Sequence, residues 1–187
     1  MLSVFSLAPQ GLKRLDRSPE VPIPEEAIWL DLLEPTPEEE RLVEARLGVD
    51  VPTREEMREI ESSSRLYEED GALYLTATIV TKLDTELPEN TQVTFILKDG
   101  RLITNRYTDP LPFRRFASYA ERHGTACASG SAILAGLVEA LINRVADVIE
   151  RVGADLDGIS AEVFTRPSGR RRAAQQDFRA VLERVGQ

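Results

Sequence analysis

An apolar seam at helical spacing near the C-terminus is the feature that most constrains the fold of this chain. From Leu134 to Val163 apolar residues recur at steps of three or four, which is the near-heptad pattern of one long amphipathic helix. A helix of about thirty residues is about 45 Å long. Because that exceeds what a compact domain of this size requires, we expect the helix to protrude.

The seam is followed by a basic turn and a second amphipathic segment. The turn runs from Arg166 to Arg172 with the sequence RPSGRRR, and apolar residues then recur from Phe178 to Val185. We therefore predict a helical hairpin over residues 126–187. The preceding residues, 1–125, are predicted to form an α/β domain.

The predicted domain alternates strand-like and helix-like patterns. Short apolar or β-branched runs bounded by Pro, Gly and charged residues predict strands, and the Asp99–Gly100 pair predicts a hairpin. The predicted strands are 2–7, 27–33, 72–80, 91–97 and 101–107, and the predicted helices are 37–47, 53–60 and 113–122.

Two of these helices begin with a capping-box pattern. Thr36 precedes Pro37 and stands three residues before Glu39, and Thr53 stands three residues before Glu56. In such a box each side chain bonds the backbone N–H of the other residue. Capping alone is therefore a sufficient explanation for Glu39 and Glu56.

Composition excludes several classes of protein. The chain has 187 residues, 32 Asp and Glu against 23 Lys and Arg, and a net charge of −9, which argues against a broad nucleic-acid surface. Its one cysteine, Cys127, excludes an internal disulfide, and its one histidine, His123, excludes His-rich metal sites. No apolar run is long enough to span a bilayer, and no secretory signal is present in these residues.

No catalytic signature occurs in the sequence. The P-loop, the G-x-S-x-G elbow, the G-x-G-x-x-G loop and the C-x-x-C pair are all missing. His123 is expected at a helix end or on the surface, and Cys127 is expected to be a small buried side chain. We do not expect an enzyme.

Carboxylates are the abundant chemical groups. They cluster at residues 38–40, 55–56 and 68–70 and recur along the predicted long helix, where Glu139 is the first. Magnesium takes oxygen ligands and needs only one or two carboxylates, since it keeps several waters. The alternative is a solvated acidic face with acids favoured in first helical turns.

Several segments, in order along the whole chain, resemble the amino-terminal cytoplasmic domain of CorA-type magnesium transporters. They are WLDLLEPTPEEE from Trp29, PTREEMREIESSSRLYEEDG from Pro52, VTFIL from Val93, RLITNRY from Arg101, LVEALI from Leu137 and residues 155–167. The resemblance implies a mixed β-sheet between helices. It also implies that the hairpin leads to a stalk and two membrane helices.

The resemblance further implies a function and a set of site residues. In that family five subunits surround an ion path, and the cytoplasmic domains sense intracellular magnesium through ions that bridge neighbouring subunits. The sensing acids correspond to Glu55 and Glu56, and a further acid on the long helix corresponds to Glu139. Glutamate stands where the family pattern has aspartate at Glu56 and Glu139. Magnesium is the implied ligand, with cobalt and zinc as the other candidates.

Two alternatives remain at this point. ZntB-type zinc transporters share the domain, although one His and one Cys supply few soft zinc ligands. A freestanding assembly or binding protein is the second alternative. The pore signature of the family, Gly-Met-Asn, is not found here, since the only methionines are Met1 and Met57. By this resemblance the chain is expected to be a soluble portion that lies, in an intact transporter, at the cytoplasmic face of the inner membrane and forms a homopentamer.

Overall fold

The computed structural model describes residues 1–17, 22–59, 61, 65–83, 88–123 and 127–164. Within them the chain forms seven strands, three α-helices and one 3₁₀ turn, Glu56–Arg58. The strands are β1 Leu2–Ala8, β2 Gly11–Arg17, β3 Ala27–Leu33, β4 Leu66–Glu69, β5 Ala72–Thr81, β6 Glu89–Lys98 and β7 Arg101–Arg106. The helices are α1 Pro37–Leu47, α2 Leu111–Ala120 and α3 Gly130–Phe164.

All seven strands form one mixed sheet in the order β2-β1-β3-β7-β6-β5-β4. The pairing of β3 with β7 is parallel, and every other pairing is antiparallel. The parallel pair therefore joins an antiparallel half built from the first 17 residues and β3 to a second half built from β4–β7. The mixed sheet that the resemblance implied is confirmed.

Helices cover both faces of the sheet. On one face α1 and the segment after it bury Val43, Val49 and Val51 against Leu30, Tyr74 and other apolar residues of the sheet. On the other face α2 and the start of α3 bury Phe113, Phe116, Ile133 and Leu137 against Trp29, Phe95 and Leu102. The expected α/β fold, with its sheet between helices, is thereby confirmed.

The two edge strands were not predicted. β2 has the sequence GLKRLDR and β4 has the sequence LYEE. Charged and short edge strands are common because they discourage pairing with other chains. Strand prediction depends on apolar residues at alternate positions. The charged residues of β2 and the shortness of β4 leave too little of that pattern to recognise.

The first capping box forms as predicted. Glu39 N donates to Thr36 Oγ1 at 3.3 Å, Thr36 N donates to Glu39 Oε2 at 3.0 Å, and α1 ends at Gly48 with φ +63°. Glu39 is also buried. Its Oε1 accepts from Leu2 N at 2.8 Å, and its Oε2 lies 2.9 Å from the ammonium of Met1. One carboxylate thus fastens both α1 and the start of β1.

The predicted helix over residues 53–60 is wrong in type and length. Residues 56–58 form a single 3₁₀ turn, and residue 60 lies outside the described part of the chain. Met57 is 3% exposed, and Arg58 N and Glu59 N bond the carbonyls of Glu55 and Glu56. The buried side chain of Met57 holds this short turn on the sheet, and the chain then turns away at Glu59 with ψ 138°.

The long helix α3 is confirmed and runs through Gly153 and Gly158 without a break. Its first residue, Gly130, donates from its N–H to Gly100 O at 2.7 Å and abuts the backbone of Arg101 and Leu102 so closely that a Cβ would clash. Beyond Leu141 most of its described apolar side chains are exposed, as the expected protrusion requires. They include Ile142 at 62%, Ile149 at 65% and Leu156 at 56%. The predicted second arm of the hairpin lies outside the described residues, and the predicted division at residue 125 stays a prediction.

Glu39 supplies a testable link between pH and stability. Burial opposes its ionisation, but the bonds from Thr36, from the Met1 ammonium and from Leu2 hold the pKa of Glu39 below its ordinary value. A carboxylate with a lowered folded-state pKa stabilises the fold above its unfolded pKa, and that contribution is lost as the pH falls through the folded-state value. Glu39→Gln is therefore expected to lower the free energy of unfolding by about 2 kcal/mol at pH 7, with a smaller loss at pH 3.

Urea unfolding followed by circular dichroism at pH 7, 5 and 3 measures this difference. Glu38→Gln is the matched control, because Glu38 is 60% exposed and, among the described residues, pairs with Arg41 alone, at 3.4 Å. An equal loss of stability at all three pH values would contradict the role given to the Glu39 carboxylate.

Candidate functional site

Glu55 and Glu56 lie together at the start of the 3₁₀ turn, and both side chains are exposed. Glu56 Oε2 accepts hydrogen bonds from the N–H and the hydroxyl of Thr53, both at 2.8 Å, while Glu56 N donates to Thr53 Oγ1 at 3.3 Å. The second predicted capping box is thus present although the helix is not. Within the described residues Glu56 Oε1 accepts no hydrogen bond.

The hydrogen bonds from Thr53 favour the ionised form of Glu56. The bond from the Thr53 backbone and the bond from its hydroxyl lower the pKa of Glu56, and slight burial opposes them. The group is therefore a carboxylate at neutral pH that is held by its cap through one oxygen, and the other oxygen is available to a hard cation.

Four bonds to neighbouring elements position the segment that carries these acids. Asn105 Nδ2 donates to Pro52 O at 2.8 Å, Asp50 N donates to the Tyr74 hydroxyl at 3.0 Å, Val51 N donates to Glu44 Oε1 at 3.1 Å, and Lys98 Nζ donates to Gly48 O at 2.6 Å. The segment is therefore tied to α1 and to β5, β6 and β7. The turn sits on a rigid part of the fold.

Glu56 also lines a cleft with three other carboxylates. This acidic cleft has a volume of about 370 Å³ and is lined by Asp50, Pro52, Glu56, Met57, Glu59, Tyr67, Glu69 and Thr76. No basic residue is among these eight. Tyr67 stacks on Tyr74 with ring centroids 4.7 Å apart, and its pKa is raised by burial, then by Tyr74 and by the acids Glu69, Asp50 and Glu56.

The sequence reasoning missed Asp50 and Glu59 and did not join Glu69 to the site. Asp50 follows α1, Glu59 ends the 3₁₀ turn and Glu69 ends β4. Only the pairing of β4 with β5 brings Glu69 to the cleft. The acidic runs at 55–56 and 68–70 were the available signal, but nothing in the sequence shows that they converge.

Glu139 occupies a different place. It is exposed on α3 and lines a groove of about 640 Å³ between α2 and α3, together with Arg115, Phe116, Tyr119, Ala132, Ala135, Gly136, Ala140 and Asn143. Because α3 packs on the opposite sheet face from Val49 and Val51, one chain does not bring Glu139 to the acidic cleft.

The carboxylate oxygens of Glu55 and Glu56 are ligands of the kind that magnesium takes. The described residues of one chain do not surround an ion there, however. Glu55 and Glu56 offer carboxylate oxygens at an exposed turn, and a hydrated magnesium ion needs only one or two. Among the described residues no group of three or more Asp, Glu, His and Cys is close enough to hold a metal. A magnesium ion bound here would therefore be completed by water or by ligands from outside the described residues.

Cys127 and His123, which were not expected to take part in chemistry, lie where the sequence predicted. Cys127 is buried, and burial raises the pKa of its thiol, so it is not an activated thiolate. His123 is exposed after the end of α2, where Nδ1 lies 3.0 Å from Tyr119 O and its ring stacks on Tyr119 with centroids 4.2 Å apart.

The model of the family described as CorA-like Mg2+ transporter protein matches residues 24–183. The chain belongs to this family. A curated relative, the Magnesium transport protein CorA of Escherichia coli (strain K12), is 31% identical over 186 residues, which is 100% of this chain and 58% of the relative. The chain thus spans somewhat more than half the length of such relatives. No described helix combines the length and apolar content needed to cross a membrane.

Solved structures share the fold of this CorA-like chain. The soluble domain of CorA from Methanocaldococcus jannaschii superposes with a TM-score of 0.65 at 13% identity, covering 87% of this chain and 64% of that one. The ZntB cytoplasmic domain from Vibrio parahaemolyticus RIMD 2210633 superposes with a TM-score of 0.60 at 15% identity, covering 84% of this chain and 64% of that one. The relatives are named as transporters, which agrees with the expectation that this chain is not an enzyme.

The role of the Thr53 hydroxyl is testable by titration. Thr53→Val removes the bond from Oγ1 and leaves the bond from the backbone, so we expect the pKa of Glu56 to rise part of the way to its ordinary value. Carbon-detected NMR titration of the side-chain carboxyl measures it. Thr36→Val is the control, because it alters the cap of Glu39 and should leave Glu56 unchanged. An unaltered Glu56 titration in Thr53→Val would refute the capping box as the cause.

Proposed function

We propose that this CorA-like chain is the metal-sensing regulatory part of a divalent-cation transporter, with magnesium as the regulatory ion. The transporter as a whole is proposed to be a homopentamer whose stalk and membrane helices belong to other residues. In the intact protein this part would lie at the cytoplasmic face of the inner membrane.

The observation that carries the proposal is the pair of exposed carboxylates on a turn fixed to the sheet. The cap with Thr53 lowers the pKa of Glu56, one oxygen of Glu56 accepts no hydrogen bond from a described residue, and Glu55 is its immediate neighbour. Family membership supplies the kind of ion, and the turn supplies oxygen ligands of the kind that magnesium prefers.

An ion held by only one or two carboxylates of one chain has coordination positions left for ligands of a neighbouring subunit. We propose that Glu55 and Glu56 of one subunit and Glu139 of a neighbour are among the ligands of bridging ions. Opposed carboxylates repel one another when the site is empty, so bound magnesium favours the subunit arrangement that brings them together. Loss of the ion releases that arrangement. Magnesium would thus act by shifting a population of assembled states.

Magnesium is favoured over zinc by the chemistry of the acidic cleft and the groove. Carboxylate side chains predominate at the cleft, whereas zinc sites use Cys and His. The one histidine, His123, and the one cysteine, Cys127, line neither of these two hollows. Cobalt shares part of the oxygen preference and remains the second candidate. A ZntB-like zinc role is the alternative function.

Magnesium-dependent protection from trypsin tests the proposal. The chain is digested with magnesium chloride from 0 to about 20 mM, a range chosen for a weak oxygen-ligand site, with sodium chloride added to hold ionic strength constant. We expect magnesium to slow cleavage of the unmodified chain and to slow it at least twofold less in Glu56→Gln. Zinc chloride at the same concentration should not give the same protection.

Glu68→Gln is the matched control, since Glu68 is an exposed acid of β4 that does not line the acidic cleft. It should retain the full magnesium effect. Equal protection in all three proteins would remove Glu56 from the site. No magnesium effect in any of them, with the fold intact by circular dichroism, would overturn the sensing role.

A further inference from the structure

A basic pocket lies where the end of β5 comes together with the first turn of α2 and with α3. It has a volume of about 290 Å³, and three cationic side chains line it, Lys82, Arg114 and Arg144. Lys82 follows the last residue of β5, Arg114 is on α2 and Arg144 is on α3. Three separate parts of the fold thus place positive charge around one concave surface, in a chain whose net charge is −9.

Asp109 is the one carboxylate among the described residues that line the basic pocket, and its charge is already shared by two arginines. Its Oδ1 accepts from Arg106 Nη1 at 2.8 Å, and its Oδ2 lies 3.7 Å from Arg114 Nη1. Lys82 Nζ pairs with Glu89 at 2.7 Å, but these two side chains are 55% and 53% exposed. Exposed pairs of this kind are weak, so an anion in the pocket can compete with Glu89 for the lysine.

Thr108 also belongs to the wall of the basic pocket, and its hydroxyl is not used by the fold. Thr108 lines the pocket, and its Oγ1 is buried with no hydrogen-bond partner among the described residues. A buried hydroxyl in that state lowers stability, because it has lost contact with water and gained no other partner. Such groups are rare in folded proteins. The Thr108 hydroxyl is therefore a donor available to an oxygen of a ligand bound beside it.

The backbone around the basic pocket favours an anion as well. Helix α2 begins here with Pro110 as its N-cap residue, and its first turn contains no acidic residue. The N-terminal end of a helix carries a partial positive charge. Lys82 has φ +56°, a left-handed conformation that is uncommon for a residue with a side chain. Residues held in such conformations cluster at functional sites, and this one supplies a cation to the pocket.

The size and the walls of the basic pocket indicate the class of anion. Its volume of about 290 Å³ is close to the lower end of the range for small-molecule sites, and it exceeds the volume that a single phosphate or sulfate fills. Val80, Leu83 and Leu111 add apolar surface to the wall. Guanidinium groups bind phosphate oxygens through paired N–H donors. Cations from three elements can therefore engage more than one phosphate group of the same ligand.

We propose that the basic pocket binds an oligophosphate anion, with Lys82, Arg114 and Arg144 as its cationic partners and the Thr108 hydroxyl as a further donor. The residues that line this pocket and those that line the acidic cleft are entirely different. The inference therefore goes beyond the magnesium-sensing role and does not depend on it. Inorganic pyrophosphate and the phosphate chain of a nucleotide share this chemistry, and two probes distinguish them.

Isothermal titration calorimetry with sodium pyrophosphate tests the site. The titration is done at neutral pH without divalent cations, because magnesium would chelate the probe. We expect a dissociation constant below about 1 mM, and weaker binding when sodium chloride is raised from about 50 to about 300 mM, since salt screens exposed charges. Sulfate, a single tetrahedral anion, should bind more weakly than pyrophosphate, because it cannot reach the cations of all three elements. No binding of pyrophosphate would overturn the site.

A double variant tests the cations. Lys82→Gln with Arg144→Gln should weaken pyrophosphate binding about tenfold or more, because charge-assisted hydrogen bonds are the strong ones. Lys13→Gln with Arg151→Gln is the matched control, since it also removes two positive charges, from β2 and from α3, and neither residue lines the pocket. The control should bind as the unmodified chain does. Unchanged binding in the first variant, or an equal loss in both, would overturn the site.

Thr108→Val separates a role in binding from a role in folding. Valine resembles threonine in shape and lacks the hydroxyl, so the change removes a buried group that has no partner among the described residues. The free energy of unfolding should therefore stay the same or rise. Pyrophosphate binding should weaken about threefold or more, because the ligand loses a donor. Lower stability together with unchanged binding would show that the hydroxyl serves the fold and would overturn the assignment.

Adenosine triphosphate is the second probe and identifies the source of the oligophosphate. Binding tighter than that of pyrophosphate would uphold the site and assign its apolar wall to a nucleoside. Equal or weaker binding, with pyrophosphate still bound, would uphold the site for the inorganic anion. None of the four proposed residues is a proposed magnesium ligand. Failure of both probes with an intact fold would therefore overturn this inference and leave the magnesium-sensing role to its own test.

Discussion

The buried ion pair between Asp31 and Arg106 holds together the two halves of the sheet. Arg106 Nη2 lies 2.7 Å from Asp31 Oδ2 and Nε lies 2.9 Å from Oδ1, across the parallel pair β3–β7. Thr104 donates to Asp31 Oδ1 at 2.7 Å and accepts from Trp29 Nε1 at 3.0 Å. Breaking such a pair from one side leaves a buried charge and costs about 3–5 kcal/mol. β3–β7 is the one pairing between the two halves, so this ion pair lies at the junction on which the single sheet depends.

That same parallel pair determines where the acids and the arginines lie. The crossover from β3 to β7 carries α1 and the acidic turn over one face, and the chain after β7 carries α2 and α3 over the other. Lys98 binds Gly48 O at the end of α1, and Gly100 O accepts from Gly130 at the start of α3. The β6–β7 hairpin thus bonds elements on both faces and places the turn that carries Glu55 and Glu56 and the long helix α3 on the same sheet.

Elements with strong local signals could be predicted from the sequence, and elements that depend on distant partners could not. The Thr36–Glu39 capping box and Gly48 are signals within a short stretch of sequence, and they predicted α1. The apolar seam from Leu134 predicted α3 in the same way. β2 and β4 are polar edge strands that are specified by their neighbours. The turn at Glu56 has the predicted cap, but no α-helix follows it. Met57 is buried against the sheet, and the backbone of Glu59 has a ψ angle outside the helical range. The candidate site residues were named only through resemblance, since nothing in the sequence shows that Glu56 and Glu69 line the same cleft.

Anomalous scattering from manganese in crystals of this chain tests the central claim most directly, because manganese replaces magnesium at oxygen sites and can be located from its own signal. The account predicts a peak about 2.0–2.3 Å from a carboxylate oxygen of Glu55 or Glu56, with ligands from a neighbouring copy. Ordered manganese found only away from this turn, or bound there by one chain alone, would contradict it.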